Sequence, residues 1–230
     1  LEDADFPMAE ENKKLLANSG NKVSILGYLW SVYPLPSNHP LMKLKEFVEG
    51  MLLFWNHEER GFAGLEEGGT ILEEYIISNG LVDDFADFLK SVSGQEFNFK
   101  TPSTNDKQLI CDMGVGVPFN KIRSTGTSSL TLLYVWAQKM SRASFVMIDE
   151  FDAFYHYILS FKVCQKLFSF SNQIFVTSHN TYLMSNDLLR PDCNFIINRN
   201  QIKPLNACTD KELRWGNNIE KMYRGYAFEV

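Results

Sequence analysis

The sequence predicts an α/β protein with parallel β-strands over residues 107–230, preceded by a mostly helical segment over residues 1–106. Three observations carry this. Short apolar runs recur at residues 145–148 (FVMI), 173–177 (QIFVT) and 194–198 (NFIIN). Segments of helical period lie between them, and such alternation makes layers of helices on a parallel sheet. Residues 1–100 carry their apolar positions at helical spacing instead.

Taken in order, residues 42–55 space their apolar positions as a helix. Residues 70–77 and 81–92 read as two further amphipathic helices, separated by Ser78, Asn79 and Gly80. Pro34, Pro36 and Pro40 break the chain around residues 33–40. Gly61, Gly64, Gly68 and Gly69 mark a loop or hairpin. After Lys100 the texture changes. Residues 109–113 (LICDM) form a short strand candidate, and residues 115–123 a loop or hairpin. Residues 127–138 read as a helix, 145–148 as a buried parallel strand, 154–168 as a helix, and 173–177 and 194–198 as two more buried strands.

Composition limits the function classes. With 230 residues and 45% apolar content, the chain can bury a core as one large domain or two small ones; Phe alone accounts for 18 residues. A net charge of −6 argues against a surface built as a whole to neutralise phosphates. The charge is uneven: residues 1–12 and 58–84 are acidic, whereas residues 190–224 hold seven basic residues against four acidic. That basic stretch reads as a solvated helix face, with a nucleic-acid or protein contact as the alternative. Cys111, Cys164, Cys193 and Cys208 are scattered, which predicts reduced thiols in the cytoplasm and no zinc site. No apolar run is long enough to span a bilayer, so no membrane association is expected. The start, LEDADFPMAEEN, is acidic and lacks an initiator Met, as expected of a processed, trimmed or split chain without a signal peptide.

Three motifs carry chemistry. Residues 145–150 (FVMIDE) run four apolar residues into Asp149 and Glu150. Ligands of α/β sheets bind beyond the carboxyl ends of the strands, so both acids stand at the rim. One carboxylate can hold Mg²⁺ through its water shell, and the other can orient and deprotonate a water; the alternative is a strand ending in two solvated acids. Residues 173–180 (QIFVTSHN) deliver His179 to the same rim, where it can donate to a terminal phosphate oxygen. Residues 123–130 (RSTGTSSL) put Ser124, Thr125 and Gly126 before a helix. Free N–H groups and the helix dipole there attract phosphate, and a glycine admits close approach. An ordinary Ser/Thr N-cap is the alternative.

In this order the three motifs resemble the second half of an ABC-type, SMC-like ATPase, in the bacterial ABC-like AAA group that includes retron- and Septu-type ATPases of phage defence. The matching residues are STGT from Ser124, MIDEFD from Met147 with His156 beyond it, SHN from Ser178, and NNIEKMYRG over residues 217–225. The resemblance covers about residues 107–228. It implies the C-terminal half of a P-loop domain, preceded by a helical insertion or lid over residues 1–106. The cofactors it implies are ATP and Mg²⁺. Asp149 would hold the metal, Glu150 would be the general base, and His179 would touch the γ-phosphate. Ser124, Thr125 and Gly126 would meet the nucleotide of a partner subunit, and Asp152 would lie at the seam of a head-to-tail homodimer. An effector protein, a nuclease or a toxin, is the implied partner.

One departure is plain. The phosphate loop, G-x-x-x-x-G-K-[ST], is absent: Gly114, Gly116 and Lys121 lack the spacing, and no Lys follows the glycines at 61–69. The chain therefore reads as the C-terminal part of a longer ATPase. Two rivals remain: a metal-dependent nuclease using Asp149, Glu150 and Asp152, and a catalytically inactive scaffold that binds a partner.

Overall fold

The computed structural model describes residues 14, 24–32, 35–55, 62–63, 72–103 and 106–229. The chain divides into two compact units, Leu1–Glu49 and Gly50–Val230.

In the first unit α1 (Ile25–Val32) is followed by α2 (Pro40–Glu49). Pro40 suits the first turn of α2, where its missing N–H is not needed and its φ is already helical. Trp30 Nε1 donates to the Leu41 carbonyl at 3.0 Å, and the Leu41 N–H donates to His39 Nδ1 at 3.2 Å. These bonds hold the turn between the helices, and Leu29 is buried.

In the second unit the elements run β1 (Met51–Trp55), β2 (Phe62–Ala63), α3 (Leu72–Ser78), α4 (Val82–Ser93), β3 (Ile110–Asp112), β4 (Gly116–Pro118), α5 (Phe119–Ile122), α6 (Thr125–Met140), β5 (Phe145–Asp149), α7 (Tyr157–Leu167), β6 (Gln173–Val176), β7 (Phe195–Asn198), β8 (Gln201–Pro204) and α8 (Ile219–Arg224). The main sheet has the order β2-β1-β5-β6. Its three strands β1, β5 and β6 are parallel, and β2 is antiparallel to β1.

Register sorts the side chains by face. Leu52 lies opposite Val146, and Phe54 opposite Ile148; all four are buried. They share one core with Phe85, Phe88 and Leu89 of α4, Leu130 and Tyr134 of α6, and Val163 and Leu167 of α7. Phe54 meets the Trp136 ring edge-on at 4.3 Å. The next row, Leu53, Met147 and Phe175, belongs to the other face. There Leu53 is 43% and Phe175 38% exposed. Aromatic packing explains the heavy use of Phe: Phe85, Phe97, Phe99 and Phe119 contact one another, and Tyr134 adds to Phe85.

Helix ends follow local chemistry. In α4, Asp83 and Asp84 sit in the first turn and Lys90 in the last, as the helix dipole favours. Gly94 closes α4 at φ 75°, a left-handed conformation that only glycine adopts freely, and its N–H donates to the Lys90 carbonyl. A second, smaller core gathers Ile196, Leu205, Cys208, Ile219 and Phe228, with Met184 packed against it.

Helices are found at the segments expected around 70–77, 81–92, 127–138 and 154–168, and strands at 145–148 and 173–177. Three expectations are corrected. Residues 42–55 are not one helix: α2 stops at Glu49, and Met51–Trp55 is a strand paired with β5. Residues 194–198 do form a strand, but it pairs antiparallel in its own two-stranded sheet, outside the parallel one; residues 109–113 hold the expected short strand, in a hairpin with β4. In β7 only Ile196 is buried, and β6 is an edge strand rather than a fully buried one. β1, α3 and α4 belong to the same core as β5 and α6 because β1 supplies the strand beside β5. The acidic stretch 1–12 lies outside the described residues, as does the glycine-rich stretch 61–69 apart from β2. Among the described residues, no helix is long and apolar enough to cross a membrane.

Candidate functional site

The carboxyl ends of β5 and β6 build the site. Beyond the last paired strand residues the two chains stay linked. The Thr177 N–H donates to the Ile148 carbonyl at 2.9 Å, and the Phe151 N–H to the Thr177 carbonyl at 3.3 Å. Asp149 and Glu150 lie within this bracket. Glu150 is left-handed, at φ 46°, a conformation that costs a residue with a Cβ roughly 1–2 kcal/mol. One hydroxyl braces it: Thr177 Oγ1 accepts the Glu150 N–H at 2.8 Å and donates to Asp149 Oδ1. Both acids are thereby fixed from the neighbouring strand.

One residue beyond Thr177, and two beyond Glu150, the pattern repeats. Ser178 Oγ donates to Asp152 Oδ2 at 2.7 Å and accepts the Asn180 N–H at 2.9 Å. Between these links, His179 Nε2 stands 3.8 Å from Glu150 Oε1. The pair faces water, with the His179 side chain 96% and that of Glu150 52% exposed. Glu150 and His179 thus face each other at the rim, with Asp149 preceding Glu150 and held by Thr177. Asp152 turns to Ser178.

Ser124 is the N-cap of α6. Its Oγ accepts the Thr127 N–H at 3.1 Å and lies 2.8 Å from Thr127 Oγ1, which itself donates to Gln95 Oε1 at 2.9 Å. Since the single Thr127 hydroxyl proton goes to Gln95, the Ser124 hydroxyl is the donor within its pair. Glycine at 126 avoids a tight contact: a Cβ there would stand 3.2 Å from the Phe154 carbonyl oxygen. The Ser-Thr-Gly turn thus abuts the loop that follows Asp152. Among the described residues, no hydrogen bond or ion pair joins Ser124, Thr125 or Gly126 to Asp149, Glu150 or His179. The approach to α6 is anchored by buried Glu73, which accepts the Leu109 N–H at 2.8 Å and Arg123 Nη1 at 3.2 Å.

The remaining motif residues serve structure. His156 Nδ1 caps α7 by accepting the Leu159 N–H. Asn218 Oδ1 caps α8 by accepting the Lys221 N–H at 2.8 Å. In the basic stretch Arg190 pairs with Asp192, Arg214 with Glu212 and Arg224 with Glu220, which lowers the charge available to a polyanion. Among the described residues, no three His, Cys, Asp or Glu side chains converge into a metal site. Cys111, Cys164 and Cys208 are buried and Cys193 is exposed; burial pushes the Cys164 thiol up to about 12.

The residues missed by sequence reasoning are Thr177, Ser178, Thr127, Gln95 and Glu73. The first two stand inside QIFVTSHN, and their signal was two hydroxyls at a strand end beside a strand that ends in acids. Gln95 and Glu73 are remote in sequence and carry no such signal.

No protein-family model matches the chain, and no curated protein matches it in sequence. Among solved structures, the Smc head domain with an extended coiled coil, bound to the C-terminal domain of ScpA and derived from Pyrococcus furiosus, is similar over part of the fold. It is 20% identical with a TM-score of 0.33, over 47% of this chain and 29% of that one.

Proposed function

We propose that this chain is part of an ATP-hydrolysing protein of ABC-type, SMC-like organisation, carrying its Walker B acids, switch histidine and signature turn. The observation that carries the reading is the convergence of Asp149, Glu150 and His179 at the ends of two adjacent parallel strands, with Glu150 and His179 at 3.8 Å. Carboxylate, base and imidazole at one rim suit phosphoryl transfer, where catalysis is mainly positioning and charge stabilisation.

The residues fit Mg²⁺ and ATP in a specific way. Mg²⁺ in nucleotide sites takes one or two carboxylates and completes its shell with water and phosphate. Asp149 is such a single carboxylate, with Oδ1 oriented by Thr177. When bound, the metal supplies charge neutralisation on the phosphates. Glu150 is the base that orients the attacking water, and its left-handed backbone sets the direction of its side chain. His179 donates to the terminal phosphate. The phosphate loop lies outside this chain. Ser124, Thr125 and Gly126 serve the nucleotide of a second subunit in a head-to-tail homodimer, with Asp152 near the seam. The resemblance adds an effector protein, a nuclease or toxin, and a setting in bacterial anti-phage defence.

A two-metal nuclease is disfavoured because Asp152 is engaged by Ser178 rather than turned toward Asp149 and Glu150. The test uses the whole protein: Glu150→Gln is expected to retain ATP binding, lose turnover and accumulate an ATP-bound dimer. Turnover at the wild-type rate overturns the assignment.

A further inference from the structure

The reading above gives residues 217–225 (NNIEKMYRG) no part at the nucleotide site, and leaves open how His179 is held. Its ring is 96% exposed, so its position depends on the backbone to either side. On the N-terminal side Ser178 is tied to Asp152. On the C-terminal side the chain makes one turn of 3-10 helix, Thr181–Leu183. Thr181 Oγ1 donates to Glu220 Oε1 at 3.1 Å, across 39 residues of sequence.

Glu220 is well anchored. It sits in the first turn of α8, next to Ile219, which is buried in the smaller core. Asn218 caps that helix. A second tie runs in parallel: Asn186 Nδ2 donates to the Trp215 carbonyl at 2.7 Å and the Asn217 carbonyl at 3.1 Å. From the opposite side the Tyr182 ring packs on Tyr157 and Phe161 of α7. The turn after His179 is thus clamped between α7 and the C-terminal segment, and the Thr181–Glu220 bond is the side-chain hydrogen bond that ties the turn to α8.

We propose that Glu220 is a positioning residue for His179, acting through the Thr181 hydroxyl. This rests on the reading that His179 contacts the terminal phosphate. A positioning role predicts a nucleotide-specific effect, because ADP lacks the phosphate that His179 would touch.

In the whole protein, Glu220→Ala and Thr181→Val should each weaken ATP binding about fivefold, the weight of one hydrogen bond, with ADP binding unchanged. The double variant should be no weaker than either single one. Glu220→Gln, whose amide oxygen still accepts from Thr181, should match wild type. Equal losses for ATP and ADP, or additive losses in the double variant, overturn the proposal. If His179→Ala leaves the ATP-to-ADP preference unchanged, the reading of the site itself fails. Amide hydrogen exchange then decides the positioning claim without nucleotide. Faster exchange at residues 180–184 in Glu220→Ala but not in Glu220→Gln sustains it, and unchanged exchange in both refutes it.

Discussion

Thr177 is the residue whose loss should tell most at the rim, since one hydroxyl carries two bonds at the acids. Thr177→Val removes both while keeping the shape of the side chain. The bond to Asp149 involves a charged acceptor and the bond to the Glu150 N–H a neutral donor. Each has a net worth of about 1–2 kcal/mol when buried, and water at this rim can replace part of that, leaving about 1.5 kcal/mol in total. Urea unfolding should show a lower midpoint at unchanged slope, the mark of lost stability without a changed unfolded state. Turnover should fall further than stability does, by about a hundredfold, because freeing Asp149 and Glu150 misplaces both acids by a fraction of an ångström or more. Thr177→Ser keeps the hydroxyl and should remain near wild type in both assays. A Thr177→Val protein with wild-type midpoint and turnover refutes the idea that this hydroxyl organises the site.

Two further outcomes follow from buried polar groups. Glu73→Ala strands the buried Leu109 N–H and leaves Arg123 without its carboxylate, so it should lower unfolding free energy by about 3 kcal/mol; Glu73→Gln, which keeps an acceptor, should cost less. Tyr134 is held neutral far above its ordinary value of 10.0 by burial first and then by its hydrogen bond to Asp84. The folded protein therefore keeps this proton at pH values where the unfolded chain has lost it. That contribution is complete below pH 10 and is lost as pH rises through the folded value, so the urea midpoint should fall on going from about pH 9 to about pH 11. Tyr134→Phe should flatten that fall.

The acids and the histidine were legible because an apolar run ending in charge has few explanations in a parallel sheet. Their hydroxyl partners were not, because Ser and Thr occur at every turn and only the β5–β6 register brings Thr177 to Asp149. Gly126 reads from sequence as room for a phosphate, and the structure adds a second constraint that no motif shows: a Cβ there would crowd the Phe154 carbonyl at 3.2 Å. Sequence and structure differ most at residues 51–55. The apolar positions of α2 continue smoothly into MLLFW, so helical period hid the strand, and Gly50 was the only break. At residues 194–198 the opposite happened: a continuous apolar run suggested burial on both faces, yet Phe195 and Ile197 are exposed.

That hidden strand has a kinetic consequence. Met51 pairs with Phe145, so the centre of the main sheet forms only after roughly 90 residues of intervening chain have been looped out, an entropic cost that grows slowly with length but precedes any reward. During synthesis β1 emerges long before its partner exists, and its apolar residues must wait, open to wrong pairings. The helices α3 and α4 lie within that loop and make local contacts early. Folding that begins there would bring β1 and β5 closer before they pair and so shorten the wait.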